Sequence, residues 1–523
     1  MTKTPKLFVF LSILRVFVAT SSAQITFQKT YGSNSVNDIG QSILQTNDGG
    51  YLIAGTQFNS GNTIESVFLI RTNNSGDTLW TRFIKEATVN YSASQIIQTF
   101  DGGFAITGIN GGGNTFVPYL LKIDTAGNIL WNKSYLWFAN EHINSIVQTP
   151  DSGFLLAGYL YNGNDLVYFI RTNSSGDTLW TKSYQENFYN ASFYSVRIAN
   201  DGGYIAAGSI QNTSSQDVDA FLFKTDSAGN VEWARSYGDA GYDYAQQVEV
   251  TSDSGFIIAA VTYSFGAGLA DFLLIKTDPS GNMQWSKMYG GTSDDRSECV
   301  RQTTDGGFLL TGESSSFSSG NFDIYVIRTN ANGDTLWTKT LNEPVNNEGY
   351  GLAMTNDGGF AITGTFFNQS ANDDIFFCKA DSTGYWGCSE LSSLTTVTSP
   401  SLQVLIHHLA FVPSQPLVLS HAMEINSGTS GEILCSPVEV EENAELNDIF
   451  IYPNPASNQF TIQNSQCTIK EVKIFTLLGT PVLIPASYCG RTVHLNMHDL
   501  NKGIFMLEIS TQYRKYYSKF VKE

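Results

Sequence analysis

The chain has 523 residues and a formal charge of −19, with 15% charged and 13% aromatic residues. That length leaves room for more than one domain. The acidic balance makes nucleic acid and anionic membrane surfaces poor partners.

The first 23 residues read as a secretory leader. Lys3 and Lys6 form its basic end, Leu7–Thr20 its apolar stretch, and Ser21-Ser22-Ala23 a small-residue cleavage site. Arg15 and the short length speak against a membrane span there, and no other stretch is long and apolar enough for a transmembrane segment. The leader carries three basic residues and no acid, so its removal takes the charge from −19 to −22. Export is the expectation.

A repeat follows. An Asp-Gly-Gly or Asp-Ser-Gly turn recurs at Asp48, Asp101, Asp151, Asp201, Asp253, Asp305 and Asp357, at spacings of 50 to 53 residues. A basic residue comes after each: Arg71, Lys122, Arg171, Lys224, Lys276, Arg328 and Lys379. In six copies a Trp stands nine residues later, and in the seventh Trp386 stands seven later. Each copy reads as four short strands, rich in β-branched and aromatic residues and broken by Gly, Asn, Asp and Ser. In the sixth copy these are Cys299–Thr303, Phe308–Thr311, Ile324–Arg328 and Thr335–Thr340. Four strands at a period near 50 predict an all-β, seven-bladed β-propeller over residues 24–390. Ile25–Gly32 matches the fourth strand of a blade yet precedes the first turn. The last copy degenerates after its third strand, so the N-terminal strand is expected to close the ring.

Residues 391–443 are rich in Ser, Thr, Pro and Val without a repeat, and read as a partly extended linker. Cys299 and Cys378 fall inside strands and read as small core residues. Cys388 with Cys435, and Cys467 with Cys489, are candidate disulfides in an oxidising compartment, with the connectivity open.

The tail, residues 444–523, reads as a small β domain with strands at Phe460–Gln463, Val472–Thr476, Val493–Asn496, Ile504–Ile509 and Tyr516–Val521. It shows YPNPA (Tyr452–Ala456), VKIFTLLG (Val472–Gly479), DLNKGIFMLEI (Asp499–Ile509) and KFVKE (Lys519–Glu523). In these motifs it resembles the C-terminal sorting domain of type IX secretion, the Por secretion system. Its two cysteines are extra to that pattern. The resemblance implies an Ig-like β-sandwich and the type IX machinery as partner. It also implies passage through the periplasm and across the outer membrane, then surface attachment or release.

The Trp-containing turn, as in Asp226–Trp233, resembles the docking motif of quinoprotein-like propellers and, more loosely, the Asp-box of sialidases. In both the resemblance implies a structural role. The repeated basic residue also reads as scaffold, because a feature present seven times is not a unique site. Function is expected where the copies differ, on the face carrying the loops between strands two and three and between blades. Trp137, out of register, is the leading candidate for stacking on a sugar, against the plainer reading that it packs on neighbouring loops. Tyr189, Tyr242 and Tyr244 are placed in equivalent loops. Asp38, Glu141, Asp243, Asp295 and Glu348 recur before the turns and are expected to ring the channel mouth. Calcium there is the minor reading and strand capping the major one. Four positions before the turn stand Arg197, Glu249 and Arg301 in successive blades, expected as an ion-pair cluster or, less favoured, an anion site. Only His142 of the six histidines lies in the repeats, and no Ser-His-Asp set is evident. The leading expectation is a non-enzymatic binding module for a glycan or surface protein, with no cofactor. A polysaccharide-active hydrolase or lyase and a structural surface protein are the alternatives.

Overall fold

The computed structural model describes residues 24–435 and 449–522. It omits 33–35, 59–63, 87–88, 113–114, 137–139, 161–165, 186–188, 213, 319–321, 342–344, 368–371, 388–389, 394, 408, 415–416, 421–423 and 427–431 from the first span, and 453–458, 465–468, 477–480, 483–485, 490–491, 497–501 and 512–514 from the second. The expected leader lies outside the described residues. Among the described residues every element is a strand. Among the described residues no helix is long and apolar enough to cross a membrane. The chain divides into two compact units, the first ending at Pro437.

The first unit is a seven-bladed propeller. Each blade is an antiparallel meander whose first strand lies innermost. Blade six runs Asp295–Gln302, Phe308–Ser314, Asp323–Thr329 and Thr335–Leu341, so its inner strand begins four residues before the expected start. Blade seven has three strands of its own, and Phe27–Tyr31 supplies the fourth, pairing with Asp374–Ala380 from Phe27↔Lys379 to Tyr31↔Ile375. The N-terminal strand thus closes the ring. Buried apolar side chains of neighbouring blades interlock. One cluster joins Phe169 and Val167 of blade three to Phe193, Phe221 and Phe223 of blade four.

The repeated motif residues hold this scaffold. In blade six the Asp305 carboxylate accepts the Thr303 hydroxyl at 2.7 Å and the Gly307 amide at 3.2 Å, and pairs with Arg328 at 2.6 Å. The equivalent acid–base pair forms in all seven blades. Each of the six in-register Trp packs on the glycine turn of the next blade, as Trp285 does on Gly333, whereas Trp386 is buried in a core cluster. Phe27 takes that place against Gly76. A tyrosine four residues further on locks the contact: Tyr31, Tyr135, Tyr184, Tyr237 and Tyr289 donate to the carbonyls of Gly76, Gly176, Gly229, Gly281 and Gly333.

The segment expected as a linker is part of the propeller. From Glu390 to Cys435 it circles the ring against the blade order and adds a fifth, antiparallel strand to each blade. Glu390–Ser392 lies on blade six, Thr396–Thr398 on five, Gln403–Ile406 on four and Ala410–Ser414 on three. Leu417–Ser420 lies on blade two and Glu424–Asn426 on one. Glu432–Cys435 ends the circuit against Phe27–Tyr31. We call this segment the belt. It pairs because each outer strand presents an unpaired edge. Leu402 and Leu409, 7% and 8% exposed, sink into the inter-blade cores, and His407 Nε2 lies 3.0 Å from Ser236 Oγ.

In the second unit two four-stranded sheets form. Gln459–Asn464 pairs with Thr492–Asn496, and Ile469–Thr476 with Gly503–Thr511, which also pairs with Lys515–Lys522. Ile462, Val493, Leu507 and Ile509 are buried. Cys299 and Cys378 are buried free thiols. Cys388 and Cys467 lie outside the described residues, and so do both candidate disulfides.

Candidate functional site

The seven inner strands wall a central channel. Each contains a β-bulge, at the same distance before its turn. A bulge leaves one residue out of the ladder and re-aims its side chain. Here the extra residues are Gln41, Ser94 and Asn144 in blades one to three, Tyr194 in blade four, and Gln246, Glu298 and Tyr350 in blades five to seven. All seven line one cavity of about 430 Å³. In blades one to five the side chain of the next residue ties its strand to the following blade. Ile146 N donates to Gln95 Oε1 at 2.7 Å, Val196 N to Ser145 Oγ at 3.0 Å, and Val300 N to Gln247 Oε1 at 2.9 Å. The repeated bulges thus carry seven side chains of five kinds at one level.

Strand alternation places two further layers on the same wall. Toward the variable loops come Ile39, Ser92, His142, Ser192, Tyr244, Arg296 and Glu348. Toward the Asp-Gly-Gly turns come Leu44, Ile97 and Val147, then Arg197, Glu249 and Arg301, then Ala353. Blades one to three are therefore neutral along the channel, and charge collects on blades four to seven.

The upper charged sector is crowded with acids. Gln246 Nε2 donates to both Glu298 oxygens at 3.1 and 3.2 Å. Burial, reinforced by the Glu313 carboxylate, pushes the Glu298 carboxyl up to about 8. Burial and then Glu348 push Glu313 up to about 7, against Arg296, whose Nη1 lies 3.3 Å from it. The Tyr350 hydroxyl donates to Glu348, and burial raises its pKa. Rings stand nearby. His142 stacks on Tyr159 at 4.8 Å, Tyr159 meets Tyr194 edge-on at 6.3 Å, and Tyr244 stacks on Tyr263 at 6.4 Å. Burial lowers the His142 pKa, which favours the neutral ring.

The expected residues separate. Arg197, Glu249 and Arg301 do come together: Arg197 Nε and Arg301 Nη1 each lie 3.2 Å from Glu249 Oε2. Tyr244 is on the same channel wall but in the upper layer. It and Tyr189 belong to inner strands, not to loops. The Tyr189 ring rests edge-on against His407 of the belt at 5.1 Å, and Tyr242 is 54% exposed. Trp137 lies outside the described residues. Four of the five recurring acids do not face the channel: Asp38, Glu141, Asp243 and Asp295 are at most 1% exposed. They sit one residue out of phase with the wall and hold loops. Asp295 Oδ2 accepts the Gly291 amide and the Ser316 hydroxyl, both at 2.7 Å. Among the described residues no three His, Cys, Asp or Glu side chains are arranged to hold a metal ion.

The bulge residues were missed by sequence reasoning, although a signal was present. In blades one, two and five the buried positions of the inner strand step by two and then by three, as in Asp38, Gly40 and Ile43. That phase break marks the bulge.

Residues 450–523 match the family model for the secretion system C-terminal sorting domain, Por_Secre_tail. The tail is a sorting domain. It directs export by type IX secretion to the cell surface or the extracellular space. No curated protein sequence matches the chain. Solved structures with detectable likeness include a protein of unknown function from Dyadobacter fermentans DSM 18053 (10% identity, 68% of this chain, 97% of that chain, TM-score 0.39). A subtype N10 neuraminidase-like protein of A/little yellow-shouldered bat/Guatemala/060/2010 gives 10% identity over 68% of this chain and 98% of its own, TM-score 0.36. A glucose dehydrogenase gives 8% over 51% and 93%, TM-score 0.32. At these scores none bears on what this chain does.

Proposed function

We propose that this exported propeller is a non-enzymatic binding module that takes a glycan segment at the variable-loop end of its channel. The supporting observation is the bulge ring, in which seven side chains of differing chemistry stand on one repeated girdle. Amides, hydroxyls and phenols pair with sugar hydroxyls as donor or acceptor. Glu298, held at about 8, keeps its proton at neutral pH and donates as well as accepts. The rings of Tyr194 and Tyr244 offer faces for stacking.

The test uses the full mature chain on immobilised polysaccharides, following retention and release of reducing ends together. Retention without product, weakened about tenfold or more (at least ~1.4 kcal/mol) by Tyr194→Ala and Gln246→Ala, is the expected result. Product formation abolished by Glu298→Gln would replace this reading with the enzymatic one. That alternative has its own support, a protonated carboxyl beside Glu313 and Glu348. Neither retention nor product would favour a protein partner or a structural role.

A further inference from the structure

The lower end of the channel has a different chemistry. It opens into a second cavity of about 600 Å³ on the side of the Asp-Gly-Gly turns. Leu44, Ile97 and Val147 form one wall, with Phe100, 69% exposed, at the rim. Arg197, Glu249 and Arg301 form the other. Two guanidinium groups share one carboxylate oxygen there, so the cluster keeps one positive charge in surplus. Its remaining contacts are neutral: Arg197 Nη1 donates to the Val196 carbonyl at 2.8 Å, and Arg301 Nη1 to the Val300 carbonyl at 2.9 Å and to Gln247 Oε1 at 2.5 Å. Both side chains are partly shielded, at 15% and 24% exposure. A surplus charge in such a place is stabilised by an anion that completes the pairing. A cavity of this size, apolar on one side with a few convergent polar groups on the other, has the form of a small-molecule site.

We propose that the lower mouth binds an amphipathic monoanion, a carboxylate carried on an apolar chain. The carboxylate lies between Arg197 and Arg301, and the chain lies against Leu44, Ile97 and Val147. None of the seven bulge residues lines this cavity, although it shares Ser42, Ile43, Gln95, Arg301 and Leu352 with the upper one. This site does not rest on the glycan reading, because neither Tyr194 nor Gln246 lines it.

Titration calorimetry of the intact mature chain with decanoate, and with 1-decanol as the uncharged control, tests the proposal. Decanoate is expected to bind one to one, and decanol about tenfold or more weaker. Arg197→Gln should weaken decanoate by about tenfold, while Glu249→Gln, which removes the competing carboxylate, should tighten it. Ile97→Ser, which leaves the ion cluster untouched, should also weaken it. A purely structural cluster gives no such charge-signed pattern. Equal binding of decanol, no binding of decanoate, or weakening by Glu249→Gln would overturn the proposal.

Discussion

Gly306 and Gly307 are neighbours in one turn and are glycines for different reasons. Gly306 has φ 84°, with only the Ala331 Cβ within 4 Å of a Cβ built on it. Ser152 and Ser254 occupy the same place in other blades at φ 65° and 68°. Gly307 has no unusual φ, but a Cβ there would overlap the Thr329 carbonyl and the Arg328 guanidinium. Gly306→Ser should therefore cost only about 1 kcal/mol. Gly307→Ala should cost about 2 kcal/mol or more, because either the strand or the buried Arg328 guanidinium must move. Urea denaturation midpoints of the two variants would separate them, and equal losses would refute the distinction. Apart from the Arg197–Glu249–Arg301 cluster, residue roles were legible where they repeated. The turn Asp, its basic partner and the Trp stand out by recurrence. The tyrosine locks recur in five blades and were still overlooked, because Tyr is ordinary in a strand. The bulge residues are of five kinds in seven blades, so recurrence could not mark them.

Among the elements, the blades were read correctly from their turns and periods, and the belt was not. Its strands have three to five residues, follow no period, and are chosen by the edges they cover as much as by their own side chains. Ser, Thr and Val suit a short edge strand and an extended linker equally. The belt's stability contribution is testable. Leu402→Ala and Leu409→Ala should each lower the unfolding free energy of the propeller by about 2–4 kcal/mol, as for core leucines. A linker residue would leave the denaturation midpoint unchanged.

For the whole molecule, the titrating groups fall in two opposed sets. The turn aspartates are depressed: the Thr303 hydroxyl and then Arg328 hold Asp305 at about 2, and the Thr149 hydroxyl and then Arg171 do the same for Asp151. Their contribution is present above about pH 4 and is lost as pH falls toward 2. It is modest, because these carboxylates are largely exposed. Burial raises Asp219 to about 6, Asp271 and Glu313 to about 7, and Glu298 to about 8. These groups favour the folded state fully below their unfolded pKa near 4, and that contribution is lost as pH rises through 6 to 8. The thermal midpoint should peak at roughly pH 4–5 and decline toward pH 8. A midpoint that climbs between pH 5 and 8 would contradict the assignment. The belt has a mechanical consequence as well. The sorting domain follows Glu432–Cys435, so tension from the C-terminal side reaches the propeller first at the strand lying on Phe27–Tyr31. Short strands met in this order are expected to peel singly, from blade seven through blades one to five and last from six. The span from Glu390 to Cys435 then reels out as roughly 150 Å of chain. The four-stranded ring, closed through its first strand, is expected to stay whole behind it, so that the belt yields in steps before the central channel is disturbed.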